Sequence, residues 1–491
     1  MDFSIDFPYK HIKRMCPMLI GVIVENSVEA ALSEMQELKE RVDAAEIRLD
    51  RWEPSDWSQL ALLKEKACLP LLFTFRKQEQ GGRRLISETK RLELYEEALS
   101  LLPAFADIET DTDPLFIERV KQKYPQISLI GSFHDFEKTP DDLLSLFHWM
   151  QPARFNMVKI SVHALSTLDL MRLMVFAKEM SPKWPLSCIA MGECGQPSRV
   201  LGPIVGNVLH YTSLQDSVNS LYQYSLDTLE KLYHFSHLTP KTKIYALLGD
   251  PVEASRGHLF HNEIFHREGI HAIYIKLRLG ANDLPAFLDL AKKLPFAGFS
   301  ITMPLKEAIF PLLTRIDPKA SLIGAVNTVV VQGSDLIGLN TDAPAALFAL
   351  EMHGKVQGKK IAILGAGGSA RAIAYEAMQR GAEVALFNRT SARGEKIARD
   401  FGCKAYALDA FSAHPYDILV NTIPPDSCGS LPILATEILP QALVMDINPV
   451  SLSSPFLQAA RERKCRCIDG DAMFEEQGRL QQMAFQQARL F

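Results

Sequence analysis

No basic cluster, no cysteine pair with metal-binding spacing and no long apolar run occurs in these 491 residues. With a net charge of −5 and no basic run, nucleic acid and acidic membrane surfaces are excluded as expected partners. The eight cysteines are scattered without a CxxC pair, and the nearest two, in Cys465-Arg466-Cys467, are wrongly spaced for a zinc knuckle. No HExxH occurs, and His258, His261 and His266 have no carboxylate to complete a ligand set. They read as solvated or core histidines, and no metal is expected. No apolar run approaches the ~18 residues a membrane helix needs. The early run Met18 to Val24 meets Glu25 after about seven residues and reads as a strand. Asp2 and Asp6 are unlike a transit peptide, so a reducing, cytoplasmic setting is expected. Internal repeats and low-complexity segments are also missing.

What is present is an ordinary globular composition, 47% hydrophobic and 23% charged, over a length that predicts two or three domains. From Met18 to about Tyr233, strand and helix patterns alternate. Strands are predicted at 19–24, 44–50, 70–76, 105–109, 127–135, 155–163, 186–192 and 207–213. Helices are predicted between them, among them Val28–Ala44, Lys90–Leu101 and Thr167–Met180. Eight such units predict a (β/α)8 barrel over 1–235; an open doubly wound sheet is the alternative. A polar, proline-containing linker (236–243) leads to a second α/β half. That half reads as a two-lobed α/β dehydrogenase, with one lobe at 244–340 and a Rossmann-type nucleotide lobe at 341–470. The last helix, within 471–491, is expected to fold back across the first lobe.

The nucleotide reading rests on residues 361–393. A strand runs into Gly365-Ala366-Gly367-Gly368-Ser369-Ala370, and a helix follows at once. The first glycines allow a tight turn and close approach of a pyrophosphate to the helix N-terminus; small Ala370 lets helix and strand pack. The second strand ends in Asn388-Arg389-Thr390, with Arg393 beyond. An acid there would take the ribose hydroxyl of NAD, whereas Arg389 suits a 2′-phosphate. An NADP site is expected.

In the first half, polar residues crowd the predicted strand ends, where a barrel carries its chemistry. Alternation puts Glu46, Arg48 and Asp50 on one face; Arg76, Asp107, Glu109, His134 and Asp135 end later strands. Lys159 lies between Val158 and Ile160 and shares a face with Met157. Burial depresses a lysine pKa, giving the neutral amine that attacks a ketone to form a Schiff base. Arg48 and Arg76 are expected to push the same way, and His134 could take a proton from the adjacent carbon. A lysine snorkelling at the rim and a loop-capping histidine are the plain alternatives. The motifs EIRLD (46–50), FTFR followed by GG (73–82), SFHDF (132–136), VKI (158–160) and MGECGQPSRV (191–200) resemble type I 3-dehydroquinate dehydratase. The resemblance implies Lys159 as nucleophile, His134 as general acid/base, and loss of water from 3-dehydroquinate. It also implies substrate contacts from Glu46, Arg48, Arg76, Arg199 and Gln223. Two places depart from the family pattern: Gln80 stands where an acid commonly precedes the double glycine, and Asn219 to Gln223 replaces a small, proline-containing lid.

In the second half, four short motifs precede the nucleotide lobe: Gly249 to Ser255, Ser300 to Lys306, Gly324 to Thr328 and Gly338 to Asp342. Lys306 and Asp342 can form a charge pair beside a reacting carbonyl, as ketone reduction by hydride requires. The set resembles shikimate dehydrogenase. That resemblance implies Lys306 and Asp342 as the catalytic pair, with Ser255, Thr302, Asn327 and Gln477 as substrate contacts. Gly257, Ser300, Ala254 and Ile447-Asn-Pro449 depart from the usual pattern. Together the halves resemble the bifunctional enzyme that dehydrates 3-dehydroquinate to 3-dehydroshikimate and reduces that to shikimate. The substrates would be these small molecules. Action on quinate or a related polyol, and a metabolite sensor without chemistry, are the alternatives.

Overall fold

The structure, a computed structural model, describes residues 17–53, 57, 59–214, 222–424, 431–448 and 454–486. The chain divides into two compact units. One comprises the residues up to Lys243 with His266–Ile273 and Ala286–Pro295; the other comprises Ile244–Phe265, Tyr274–Pro285 and the residues from Phe296 onward.

The first unit is built from β1 (Met18–Ile23), α1 (Val28–Leu38), β2 (Ala44–Arg48), α2 (Leu60–Lys66), β3 (Leu71–Thr74) and α3 (Glu88–Leu99). It continues with β4 (Phe105–Glu109), α4 (Pro114–Lys123), β5 (Ser128–Asp135), α5 (Leu143–Trp149), β6 (Met157–His163) and α6 (Thr167–Met180). It ends with β7 (Leu186–Met191), α7 (Ser198–Val205), β8 (Leu209–Thr212) and α8 (Leu226–Lys231). The eight strands form one sheet in the order β7-β6-β5-β4-β3-β2-β1-β8, with parallel pairing between neighbours. The ends of that order meet at a seam. There the backbone N–H of Val208 donates to the Leu186 carbonyl at 3.0 Å, while Ser187 Oγ accepts from the Leu209 N–H at 2.6 Å. The Asn207 amide brackets Cys188, accepting its N–H at 3.1 Å and donating to its carbonyl at 2.8 Å. Side chains thus complete the ladder, and the predicted barrel is nearly closed.

Its interior is layered by the period-two alternation of strands. Ile20, Ala44, Leu72, Phe105, Ile130, Met157, Ile189 and Leu209 fill an apolar layer. Two residues further along the same faces come Glu46, Thr74, Asp107, Ser132 and Lys159, and the register sets Ser132 beside Lys159. A polar layer therefore caps an apolar one toward the C-terminal ends of the strands.

Several boundaries differ from the sequence-based expectation, two of them by a local turn. The first helix stops at Leu38 rather than Ala44, because Glu40 takes a left-handed backbone (φ 72) that no helix continues through. The second strand stops at Arg48, and Leu49–Arg51 form a turn of 3-10 helix.

Beyond the barrel the chain forms two six-stranded sheets, most of whose residues belong to the second unit. The first is built from β9 (Lys243–Gly249), α9 (Gly257–Arg267), β10 (Ala272–Arg278), α10 (Leu284–Ala291), β11 (Phe296–Ile301) and α11 (Leu305–Ala308). It is completed by β12 (Arg315–Ile316), α12 (Pro318–Ile323), β13 (Thr328–Gln332), β14 (Asp335–Leu339) and the connecting α13 (Asp342–Glu351). Its order is β10-β9-β11-β13-β14-β12, with antiparallel β11–β13 and β13–β14 pairs. The second is built from β15 (Lys360–Leu364), α14 (Gly368–Gln379), β16 (Glu383–Asn388), α15 (Ser391–Phe401), β17 (Lys404–Ala407) and β18 (Ile418–Asn421). β19 (Leu443–Asp446), α16 (Pro455–Glu462) and β20 (Arg466–Ile468) complete it, and α17 (Gly470–Gln486) follows. Its strands run parallel in the order β17-β16-β15-β18-β19-β20. The chain order reverses at β15, and such a switch point opens a crevice at the strand C-termini. α17 returns to the first sheet: Phe485 packs 4.6 Å from the Tyr245 ring, and Gln481 bonds Ser300 on β11 at 3.0 Å.

Candidate active sites

The barrel interior holds a lysine among charges. Lys159 is 4% exposed, and its Nζ donates to Asp107 Oδ2 at 2.5 Å. Asp107 Oδ1 in turn accepts from Ser132 Oγ at 2.5 Å and pairs with Arg76 Nη2 at 2.8 Å. Arg76 also reaches Glu109 at 3.3 Å. Burial would raise the Asp107 pKa, but Arg76 and Lys159 outweigh it and hold the carboxylate well below its usual range. Lys159 is lowered from its ordinary value. Burial is the main cause, Asp107 opposes it and Arg76 reinforces it. Of the two arginines expected to press on the amine, Arg76 is the one among the main causes. Arg48 is clamped by Asp50 at 2.8 and 2.9 Å. The sequence-based reading set Asp107 at a strand end without giving it a role, because its meeting with Lys159 depends on pairing across two strand interfaces.

His134, on β5, has its pKa held well below the ordinary value, by burial first and then by Arg76 and Lys159. Its tautomer follows from Gln80. The His134 backbone N–H donates to Gln80 Oε1 at 3.0 Å, which fixes the orientation of that amide. The same oxygen lies 3.3 Å from His134 Nδ1. An acceptor facing Nδ1 requires the proton there, leaving the Nε2 lone pair free as a base. Gln80 Nε2 is turned to Asp111 at 3.4 Å.

Of the other expected barrel residues, Glu46 stands near enough to Lys159 for its charge to act on the amine. Glu46, 5% exposed, accepts from Thr74 Oγ1 at 2.6 Å. Arg199 sits in the first turn of α7, where burial pulls its pKa down to about 10. Gln223 is half-buried just before α8; of the lid segment, 219–221 lie outside the described residues.

A second lysine–carboxylate pair lies in the other unit. Lys306 Nζ donates to Asp342 Oδ2 at 2.5 Å and to Ser369 Oγ at 2.8 Å. Asp342 is fully buried at the start of α13. Its Oδ1 accepts from Asn327 Nδ2 at 2.7 Å and from Gln477 Nε2 of α17. Asn327 also holds Thr341, donating to Oγ1 at 2.9 Å and accepting its backbone N–H at 2.8 Å. Four of the expected residues thus form one cluster. Ser255 and Thr302 have no hydrogen bond to it among the described residues. Ser255 Oγ accepts the Gly257 N–H at 3.2 Å, and the Thr302 methyl packs toward Gly249. Ser369, read from sequence as a cofactor contact, also touches Lys306.

The glycine turn fits a dinucleotide. Gly365 has φ +109, and a Cβ there would meet Thr422 Oγ1 at 2.4 Å, so a side chain is barred twice over. A Cβ on Gly367 would meet nothing within 4 Å, which leaves open space at the start of α14. That helix has no side-chain N-cap, so its first N–H groups face that space. Ala370 is fully buried against the sheet. Arg389 and Arg393 are exposed beyond β16, and neither pairs with a carboxylate among the described residues. Asn388 Nδ2 ties that turn by donating to the Thr390 carbonyl at 2.8 Å.

Comparison with known proteins covers both units. Family profiles match in succession: type I 3-dehydroquinase over residues 21–240, and the shikimate dehydrogenase substrate binding domain over 247–329. A third, described as NADP oxidoreductase, coenzyme F420-dependent, matches 360–449. The chain is 34% identical over 387 residues to "Shikimate biosynthesis protein AroDE" of Chlamydia muridarum, covering 78% of this chain and 77% of that one. It is 31% identical over 504 residues to "Bifunctional 3-dehydroquinate dehydratase/shikimate dehydrogenase, chloroplastic" of Arabidopsis thaliana, covering 96% and 82%. Among solved structures, a Thermus thermophilus shikimate 5-dehydrogenase in complex with NADP(H) and shikimate matches at 31% identity. That match covers 50% of this chain and 93% of the other, with a TM-score of 0.46.

Proposed function

Because the chain belongs to the family of bifunctional 3-dehydroquinate dehydratase/shikimate dehydrogenases, we propose a residue-level division of its two reactions. The dehydratase occupies 1–235, the linker 236–243, the shikimate-binding lobe 244–340 with the C-terminal segment 471–491, and the NADP lobe 341–470. In the barrel, Lys159 loses its proton and attacks the ketone of 3-dehydroquinate, and water leaves as the iminium forms. Neutral His134 removes a proton from the carbon next to the iminium through Nε2. The resulting enamine expels hydroxide from the following carbon, and the imidazolium returns its proton to make water. Hydrolysis of the new iminium frees Lys159 and 3-dehydroshikimate. Arg76, Arg48 and Glu46 orient the polyol, Arg199 anchors its carboxylate, and Gln223 supplies a further contact.

In the second unit Asp342 holds Lys306 beside the carbonyl oxygen, and the lysine delivers the proton that the new alkoxide needs. Asn327 and Gln477 hold both Asp342 and the substrate, while Ser255 and Thr302 supply further contacts. Residues Gly365 to Ala370, with Asn388, Arg389, Thr390 and Arg393, hold NADPH, which when bound supplies the hydride. No described helix is long and apolar enough to cross a membrane. A cytoplasmic location is part of the proposal and is checked by cell fractionation, since the Arabidopsis thaliana relative is described as chloroplastic.

The observation that supports this reading most is Lys159, buried beside Asp107 and Arg76 in a nearly closed ring of strands that also carries neutral His134. Purified protein mixed with 3-dehydroquinate and NADPH should oxidise the nicotinamide and yield shikimate. Production of 3-dehydroshikimate without nicotinamide oxidation would remove the second activity; consumption of neither reactant would remove the first, and added 3-dehydroshikimate would then decide the second.

A further inference from the structure

A buried hydroxyl is left over once the contacts of the barrel site are assigned. Tyr211, on β8, pairs in register with Ile20 and turns its ring into the barrel interior. It is 6% exposed, and among the described residues its hydroxyl has no hydrogen-bond partner. The Lys159 ammonium lies 4.7 Å from the centroid of its ring, so the phenol stands beside the nucleophile. Arg199, 9% exposed, shares the condition: its Nε has no partner either. Both side chains line one small cavity at the β7–β8 seam, together with Ile189, Ser198, Leu209 and His210.

Two unpaired polar groups in one buried place are costly unless something else pairs with them. Burial, with Glu46 and Asp107 nearby, pushes the phenol far up in pKa, so it stays protonated and can donate. A partner for a neutral donor beside a guanidinium is an anionic acceptor, and the proposed substrate carries a carboxylate.

We propose that the Tyr211 hydroxyl is a further substrate contact of the dehydratase, donating to the substrate carboxylate beside Arg199. The ring against Lys159 and the hydroxyl toward Arg199 then fix the distance between the ketone and the carboxylate. This rests on the dehydratase reading of the barrel.

Tyr211→Phe keeps the ring and removes one oxygen. KM for 3-dehydroquinate should rise about tenfold, with kcat changing far less, as loss of one hydrogen bond to a charged ligand implies. The ligand-free variant should melt no lower than the parent, because an unpaired hydroxyl has gone. The Tm increase on adding 3-dehydroshikimate should shrink. An unchanged KM with an unchanged ligand-induced Tm increase would assign the hydroxyl to a buried water and overturn the proposal. So would a clear loss of ligand-free stability, which marks a structural role. Borohydride trapping in the parent protein separates the two levels. If the parent forms no adduct with 3-dehydroquinate, the dehydratase reading has failed; if it does and Tyr211→Phe keeps the parental KM, only the Tyr211 assignment has failed.

Discussion

Gln80 offers a direct handle on the barrel chemistry, because an uncharged amide oxygen touches the imidazole assigned as the base. Replacing it with glutamate keeps the shape and puts a negative charge near the 3.3 Å contact with Nδ1. Two unit charges about 4 Å apart interact by about 4 kcal/mol at an effective dielectric of 20. One pKa unit corresponds to about 1.4 kcal/mol, so the ceiling on the effect is about three pH units. Two features reduce it. Gln80 is 8% exposed, and burial disfavours the new charge; Asp111, now an acceptor from Gln80 at 3.4 Å, would repel it. An upward move of about one to two pH units is expected after these losses.

The sign follows from the surroundings of His134. Burial, Arg76, Lys159 and Arg48 disfavour its protonated form, and Asp107 favours it. In the parent protein the base therefore stays neutral well below the ordinary histidine pKa, and dehydratase kcat/KM holds its value on the acid side. In Gln80→Glu the imidazole takes up its proton at higher pH, and the acid limb of kcat/KM moves toward neutrality. The assay is enone formation from 3-dehydroquinate across the acid and neutral range for both proteins. An acid limb that stays put, or moves down, would refute both the Gln80–His134 contact and the role of His134 as base.

Other expectations test other parts. Asp107→Asn removes one partner from a buried pair and should cost about 3–5 kcal/mol in urea unfolding at neutral pH. The Asp107 pKa is lowered in the fold, so its stabilisation is complete above the ordinary carboxylate pKa and fades as pH falls through the lowered one. The gap between parent and variant should accordingly narrow only below about pH 4; a gap constant down to strong acid would contradict the pairing. Arg389→Asp should weaken NADPH binding by about 10- to 100-fold while leaving NADH binding nearly unchanged, measured by fluorescence titration. Equal losses for the two coenzymes would dismiss the phosphate contact.

Much of the fold was legible because parallel strands buried on both faces read as short apolar runs between amphipathic helices. The fourth strand, 105–109, and the sixth helix, 167–180, stand where the pattern put them. The first helix was overextended because helical spacing continues past Leu38, and nothing in the sequence marks the left-handed turn at Glu40. Lys159 could be set on the inward face because it alternates with Met157. Its ion pair with Asp107 could not, since that depends on the register of β4, β5 and β6. The seam closure by Ser187 and Asn207 is of the same kind, a polar side chain standing in for ladder partners that local pattern does not reveal. In the second unit, the Lys306–Asp342 pair was legible from motif order. The hydroxyl of Ser369 against Lys306 was not, because it joins a glycine turn to a helix 63 residues away. The Tyr211 hydroxyl, unpartnered among the described residues, carried no sequence signal at all: tyrosine in a barrel strand is unremarkable until its neighbours are known.

The central claim is that the Lys159 amine, depressed by burial inside the barrel, forms a covalent imine with the ketone substrate. Borohydride added during turnover of 3-dehydroquinate should leave a stable adduct, located by peptide mass on Lys159 and missing in Lys159→Ala. No adduct in a protein that still dehydrates the substrate, or an adduct on another lysine, would contradict it.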